Sequence, residues 1–138
     1  MPQPVSCDIS KAMVDIGKQI GYWRNGAEED WSVGQHLVSR GSLRHGLFFA
    51  HLAIEKTLKA HVCRASGELA PPVHNLVRLA EKAGVTLSEE QIDLLAEVNG
   101  FNIEGRYPQP TLPSPSIAEA KEYVARIDGV LKCLNLQF

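Results

Sequence analysis

The sequence predicts an all-α fold: an up-and-down four-helix bundle with a short accessory helix. Three observations carry this. All eight prolines fall in three clusters, Pro2 and Pro4, Pro71 and Pro72, and Pro108 to Pro115. Proline inside a helix loses a hydrogen bond and clashes with the preceding turn, so the clusters mark loops and the stretches between them read as helix. Those stretches carry apolar residues at steps of three and four, the spacing of one helical face. Two of them open on capping-box patterns, Ser88-Glu89-Glu90-Gln91 and Ser116-x-x-Glu119.

The first stripe is Ile9, Met13, Ile16, Ile20, Trp23, Ala27, Trp31, Gly34 and Val38. Asn25-Gly26 inside it costs about 1 kcal/mol of helix propensity. The apolar phase is unbroken, however, and one long helix over about residues 8–40 is expected. Gly41-Ser42 makes a tight turn, with Ser42 as N-cap. A second helix follows over about 43–65, with Leu43, Leu47, Ala50, Ile54, Leu58 and Val62 toward the core. Past Gly67 and Pro71-Pro72, residues 73–83 form a short helix ended by Gly84. The next helix covers about 88–104, with Ile92, Leu95, Val98 and Ile103 inward. The last starts at the second capping box and buries Ile117, Ala120, Val124, Ile127, Leu131 and Leu134.

The length fits one domain over residues 1–138, long enough to bury roughly two-thirds of the unfolded surface. A formal charge of −2 and a pI near 6.2 exclude a general basic footprint for nucleic acid, though not a local one. Cys7, Cys63 and Cys133 form no Cys-x-x-Cys motif, and their odd count argues against a disulfide framework. No run approaches the ~18–20 apolar residues of a membrane span. Met1-Pro2-Gln3-Pro4 lacks the basic and apolar regions of a secretory signal. A cytoplasmic protein with reduced thiols, no membrane contact and no cofactor is expected.

The second helix holds the candidate chemistry. On an ideal helix Arg44, His51 and Glu55 share one flank of the apolar stripe, and Lys59 continues it at the next turn. Such charges beside a core face are normally paired, functional or both. The plain reading is a solvated edge with ordinary ion pairs. The functional reading is a cleft between helices, where Glu55 accepts a hydrogen bond from a cation such as Arg106 and Lys59 faces an anion. His74, opening the short helix, could donate to an acceptor across the bundle or serve structure alone. His36, His45, His51, His61 and His74 show no His-Glu-x-x-His spacing, and no metal site is expected. Nucleophilic catalysis has no local support.

The ordered set Trp23…Ala27-x-x-Asp30, Phe48-Phe49-Ala50-His51-Leu52-Ala53-Ile54-Glu55-Lys56-Thr57-Leu58-Lys59-Ala60, Pro-Pro-Val-His74-Asn75-Leu76 and Arg106-Tyr107-Pro108 resembles the HEPN domain family. The likeness spans about residues 20–135, with residues 1–19 as an N-terminal helix extension. It implies a helical bundle that forms a homodimer. It also implies one of two activities. Many HEPN proteins are metal-independent ribonucleases that use an Arg and a following His with four to six residues between them, late in the domain. Others resemble partners of minimal nucleotidyltransferases in toxin–antitoxin pairs. No His follows Arg106, and Asn102 lies on the wrong side of it. Arg40 with His45 and Arg44 with His51 meet the spacing, but at the start of the second helix. The resemblance therefore implies a module without a catalytic residue. It would bind a nucleotide, a nucleic-acid-like ligand or a minimal nucleotidyltransferase through Glu55, Lys59, His74 and Arg106. An RNA-cleaving toxin acting through Arg44 and His51 is the alternative, and a purely structural dimer the third reading.

Overall fold

The computed structural model describes residues 15–106 and 114–138, with side chains at 15–102 and 114–138. The described residues form five helices and no strand: α1 (Ile16–Ser39), α2 (Leu43–Ser66), α3 (Leu76–Ala83), α4 (Glu89–Arg106) and α5 (Ile117–Asn135). This is the predicted bundle with its short accessory helix, α3.

The first helix starts later than its apolar stripe suggests. Asp15 is extended, with φ −93° and ψ 104°, and its side chain accepts from Lys18 N, so it caps α1 at Ile16. A carboxylate that satisfies an orphan N–H ends the helix there, whatever the phase of the residues before it. Ile9 and Met13 lie outside the described residues. Asn25-Gly26 does remain within α1, as expected. Gly26 is also where the Lys56 side chain crosses: a Cβ there would meet Lys56 Cδ at 3.2 Å.

Other boundaries move by a few residues for similar local reasons. Ser42 holds the N-cap position of α2, but its side chain makes no capping bond. The short helix begins at Leu76 instead of 73. Val73 N bonds Pro71 O in a turn, and the Asn75 side chain accepts from Arg78 N as the true N-cap. Gly84, at φ +67°, ends α3 in the left-handed conformation that glycine adopts without penalty. Both capping boxes form. Ser88 Oγ accepts from Gln91 N while Ser88 N donates to Gln91 Oε1, and Ser116 and Glu119 reciprocate in the same way.

The second helix departs most from its amphipathic reading. The residues expected to face inward are covered, with Leu43 half-buried, but so are Ala53, Glu55, Thr57, Lys59, Ala60, His61 and Cys63. The cause is topological: α1, α3, α4 and α5 all pack on α2, which becomes the axis of the bundle. Its Ile54 and Leu58 meet Leu76 and Leu79 of α3, Leu95 and Val98 of α4, and Ile127 and Leu134 of α5 in one core. Each such side chain contributes roughly 1.5–3 kcal/mol of burial. A smaller cluster of Val38, Leu47 and Ala120, with Phe101 and Tyr123 against it, closes the other end. On α5 the expected stripe holds except at Ile117, which is exposed in the first turn. Ile103 lies outside the described side chains.

Helices α1 and α2 cross at two glycines. A Cβ at Gly34 would lie 2.9 Å from Gly46 O, and one at Gly46 would lie 2.9 Å from Gly34 O and 2.6 Å from Val38 Cγ2. Only hydrogen fits between these backbones. The two helices therefore approach closely at this crossing.

Candidate functional site

Residues 51, 55 and 59 are four apart, so α2 stacks them on one flank, a turn at a time. His51 is fully buried, Glu55 is 4% exposed and Lys59 is 6% exposed. The Glu55 carboxylate is the common partner. Lys59 Nζ lies 3.2 Å from Oε2, and His51 Nδ1 lies 3.7 Å from Oε1. A fourth group arrives from outside the helix: His74 Nδ1 sits 3.1 Å from each carboxylate oxygen. Trp23 of α1 covers the far side, with Lys59 Nζ 5.2 Å from its ring centre. An ammonium over an aromatic face is attracted to it, and more so when desolvated.

The position of His74 is fixed by the start of α3. Asn75 caps the helix, and Asn99 of α4 ties that cap in place. Asn99 Nδ2 donates to Asn75 Oδ1 at 3.2 Å, while Leu76 N donates to Asn99 Oδ1 at 2.8 Å. The imidazole is thus pinned between two helices. Its Nδ1–H donates to Glu55, so Nε2 points away from the carboxylate, and half of the side chain is exposed. A buried carboxylate behind an exposed imidazole fixes which nitrogen a ligand meets.

The structure brings together three of the four predicted ligand residues, Glu55, Lys59 and His74. Arg106 ends α4, but its side chain lies outside the described residues, as does any pairing with Glu55. Arg44 and His51, the alternative pair, are seven residues apart, a rise of about 10 Å along α2. His51 is wholly buried and faces Glu55. Asn99 is a site residue that the sequence reading does not include. Its signal is an amide one turn after Leu95, in the phase of an apolar stripe, where it must find partners. Also unforeseen is the Lys56–Asp30 ion pair, at 2.7 Å, which joins α2 to α1 beside the crossing.

Among the described residues no group of three or more His, Cys, Asp or Glu is placed to hold a metal ion. Cys63 is buried and unoxidised, and burial pushes its thiol up. Cys133 is a half-buried free thiol, and Cys7 lies outside the described residues. No helix among the described residues is long and apolar enough to cross a membrane.

An all-helical bundle is the architecture that the sequence resemblance implies. The HEPN domain model matches residues 20–137, and the chain belongs to that family. A solved structure, TT1696 from Thermus thermophilus, shares the fold with a TM-score of 0.74. The two are 18% identical, over 87% of this chain and 98% of that one. No curated protein matches the sequence.

Proposed function

We propose that the chain is a HEPN module that binds an anionic, nucleotide-like or nucleic-acid ligand, or a minimal nucleotidyltransferase partner in a toxin–antitoxin pair. The Glu55 centre is the binding site. The observation that carries this reading is the exposed His74, oriented by a buried carboxylate that Lys59 already partners. A lone structural histidine needs neither this orientation nor a second helix to hold its loop. Here the imidazole is aimed outward with Nδ1 committed, so Nε2–H can meet a phosphate or carboxylate oxygen when the ring is protonated. Arg106 supplies the second cation of the site in this reading, since guanidinium binds such oxygens two at a time.

A short single-stranded RNA oligonucleotide is a suitable probe, followed by fluorescence anisotropy at low salt. His74→Ala is expected to weaken binding about tenfold, the scale of one lost charge-assisted bond. Thermal stability should hardly change, because half of the ring is in water. Undiminished binding by both His74→Ala and Arg106→Ala would remove the Glu55 centre from the reading.

The module acts as a homodimer in this proposal. Association does not draw on Trp31, Tyr123 or Val130, which are covered within the chain. Val130 is buried, and Trp31 and Tyr123 pack against the core. What favours association instead is α1, where Tyr22 is 65% exposed and Val33 41% exposed. Light scattering at micromolar concentration should give twice the chain mass, and Tyr22→Ser with Val33→Ser should return it to one.

A further inference from the structure

The segment after α5 folds back and puts Phe138 in a slot between α1 and α2. One wall is His61, whose imidazole stacks on the phenyl ring with centroids 3.7 Å apart and planes 15° apart. The other is Arg24, whose guanidinium carbon lies 4.0 Å from the same ring centre. Two groups at these distances cannot share one face of a ring, so Phe138 lies between them. His61 is rigidly held: it is 4% exposed, and its Nε2–H donates to Leu134 O at 2.8 Å. The segment itself is tied at the surface. Arg64 Nη1 donates to Gln137 O at 2.8 Å, and the Gln137 side chain bridges to the Thr86 backbone.

Each wall of the slot also borders a separate cavity. A cavity of about 210 Å³ opens beside Arg24, lined also by Glu28, Trp31, Asp128 and Lys132. Another of about 350 Å³ opens beside His61, lined also by Arg64, Gly84 and Gln137.

The slot selects its occupant by shape and charge. A parallel imidazole and a guanidinium admit a flat ring with two π-faces, and such stacking tolerates any base-like ring. Burial holds the His61 imidazole toward its neutral form, and the charges of Arg64 and Arg24 act the same way against the bond to Leu134. The ring face it offers is therefore uncharged, while Arg24 and Arg64 place two permanent positive charges beside it. Phe138 satisfies the shape but its side chain answers neither charge.

We propose that this slot is a second binding site, for a flat aromatic ring that carries an anionic group, such as a nucleoside monophosphate. Phe138 closes it when that ligand is absent. Binding replaces the phenyl ring by the ligand ring and gives the phosphate to Arg64, which releases Gln137 O. The site is distinct from the Glu55 centre. Residues 55 and 61 are six apart on α2, which places them about 120° from each other around the helix. It does not rest on the reading of His74.

The test is calorimetric titration of the full chain with adenosine monophosphate, and with ribose 5-phosphate as a ligand that keeps the anion and lacks the ring. Phe138→Ala is expected to bind adenosine monophosphate at least tenfold more tightly than the wild type. Adding Arg24→Ala should abolish that gain, and ribose 5-phosphate should show none. The Glu55–His74 centre is unaltered in all these variants, so binding there contributes equally to each and cancels in the comparison. Equal affinity of wild type and Phe138→Ala would overturn the proposal, and so would an equal gain for ribose 5-phosphate. If Phe138→Ala is unfolded at the assay temperature, Phe138→Leu is expected to show a smaller gain in the same direction, because leucine still occupies the slot but forgoes the stacking and is displaced more easily; no gain there would overturn the proposal.

Discussion

Glu55→Ala is expected to destabilise the fold by about 3–5 kcal/mol, the cost of breaking a buried ion pair from one side. The reason is Lys59. Lys59 is 6% exposed, and its ammonium has Glu55 Oε2 at 3.2 Å as its charged partner, backed by the face of Trp23. Remove the carboxylate and a cation remains where water does not reach it. Lys59→Met should cost less. Glu55 would then keep His74 Nδ1 as a donor to both oxygens, and the methionine stem would fill the channel that the lysine stem occupies. The double variant, Glu55→Ala with Lys59→Met, should cost much less than the two single changes added together, because the groups are in direct contact. Urea denaturation of the four proteins measures this. Additive losses below about 1 kcal/mol would mean that the flank is only a solvated edge, with surface-pair energetics. The same series separates stability from binding. His74→Ala removes the exposed member and should act on ligand affinity, whereas Glu55→Ala acts first on the fold.

Much of this was legible in the sequence, and the failures have identifiable causes. Helix number and order follow from punctuation, since Pro71-Pro72, Gly84 and two capping boxes are local signals that tertiary packing does not overrule. The start of α1 was misread because apolar phase says which face a helix would bury, not where its first N–H finds a cap, and Asp15 is that cap. The grouping of Glu55, Lys59 and His74 was readable in part. Steps of four place the first two together, but His74 reaches them only because Asn75 and Asn99 pin the loop, a contact across 24 residues. The burial of α2 on nearly every side was not readable. Its mixed sequence resembles a half-exposed helix, and only the packing of four neighbours shows that His61, Thr57 and Lys59 are interior. For the same reason, no spacing pattern links Arg24, His61 and Phe138, which are distant in the chain and meet only where the segment after α5 turns back.

Gly46→Val should be among the most damaging single changes in the chain, at about 3 kcal/mol, although valine has the better helix propensity. The first carbon of any side chain at Gly46 would sit 2.6 Å from Val38 Cγ2, 2.9 Å from Val38 N and 2.9 Å from Gly34 O. Rotation of Val38 could relieve the first contact. The other two are with backbone atoms inside α1, which cannot yield without bending that helix or moving it outward. Moving it outward would also open Phe49 and Ala50, whose atoms lie within 3.4 Å of a Cβ placed at Gly34, and would draw Asp30 away from Lys56. Gly46→Ala isolates the first carbon: it gains about 1 kcal/mol of helix propensity and should still be a net loss. Pairing Gly46→Ala with Val38→Ala distinguishes the causes. If the Val38 methyl were the whole obstacle, the pair would recover everything beyond the cavity cost of Val38→Ala itself. The backbone contacts predict only partial recovery. Full recovery in denaturation midpoints would show that the α1–α2 crossing has slack.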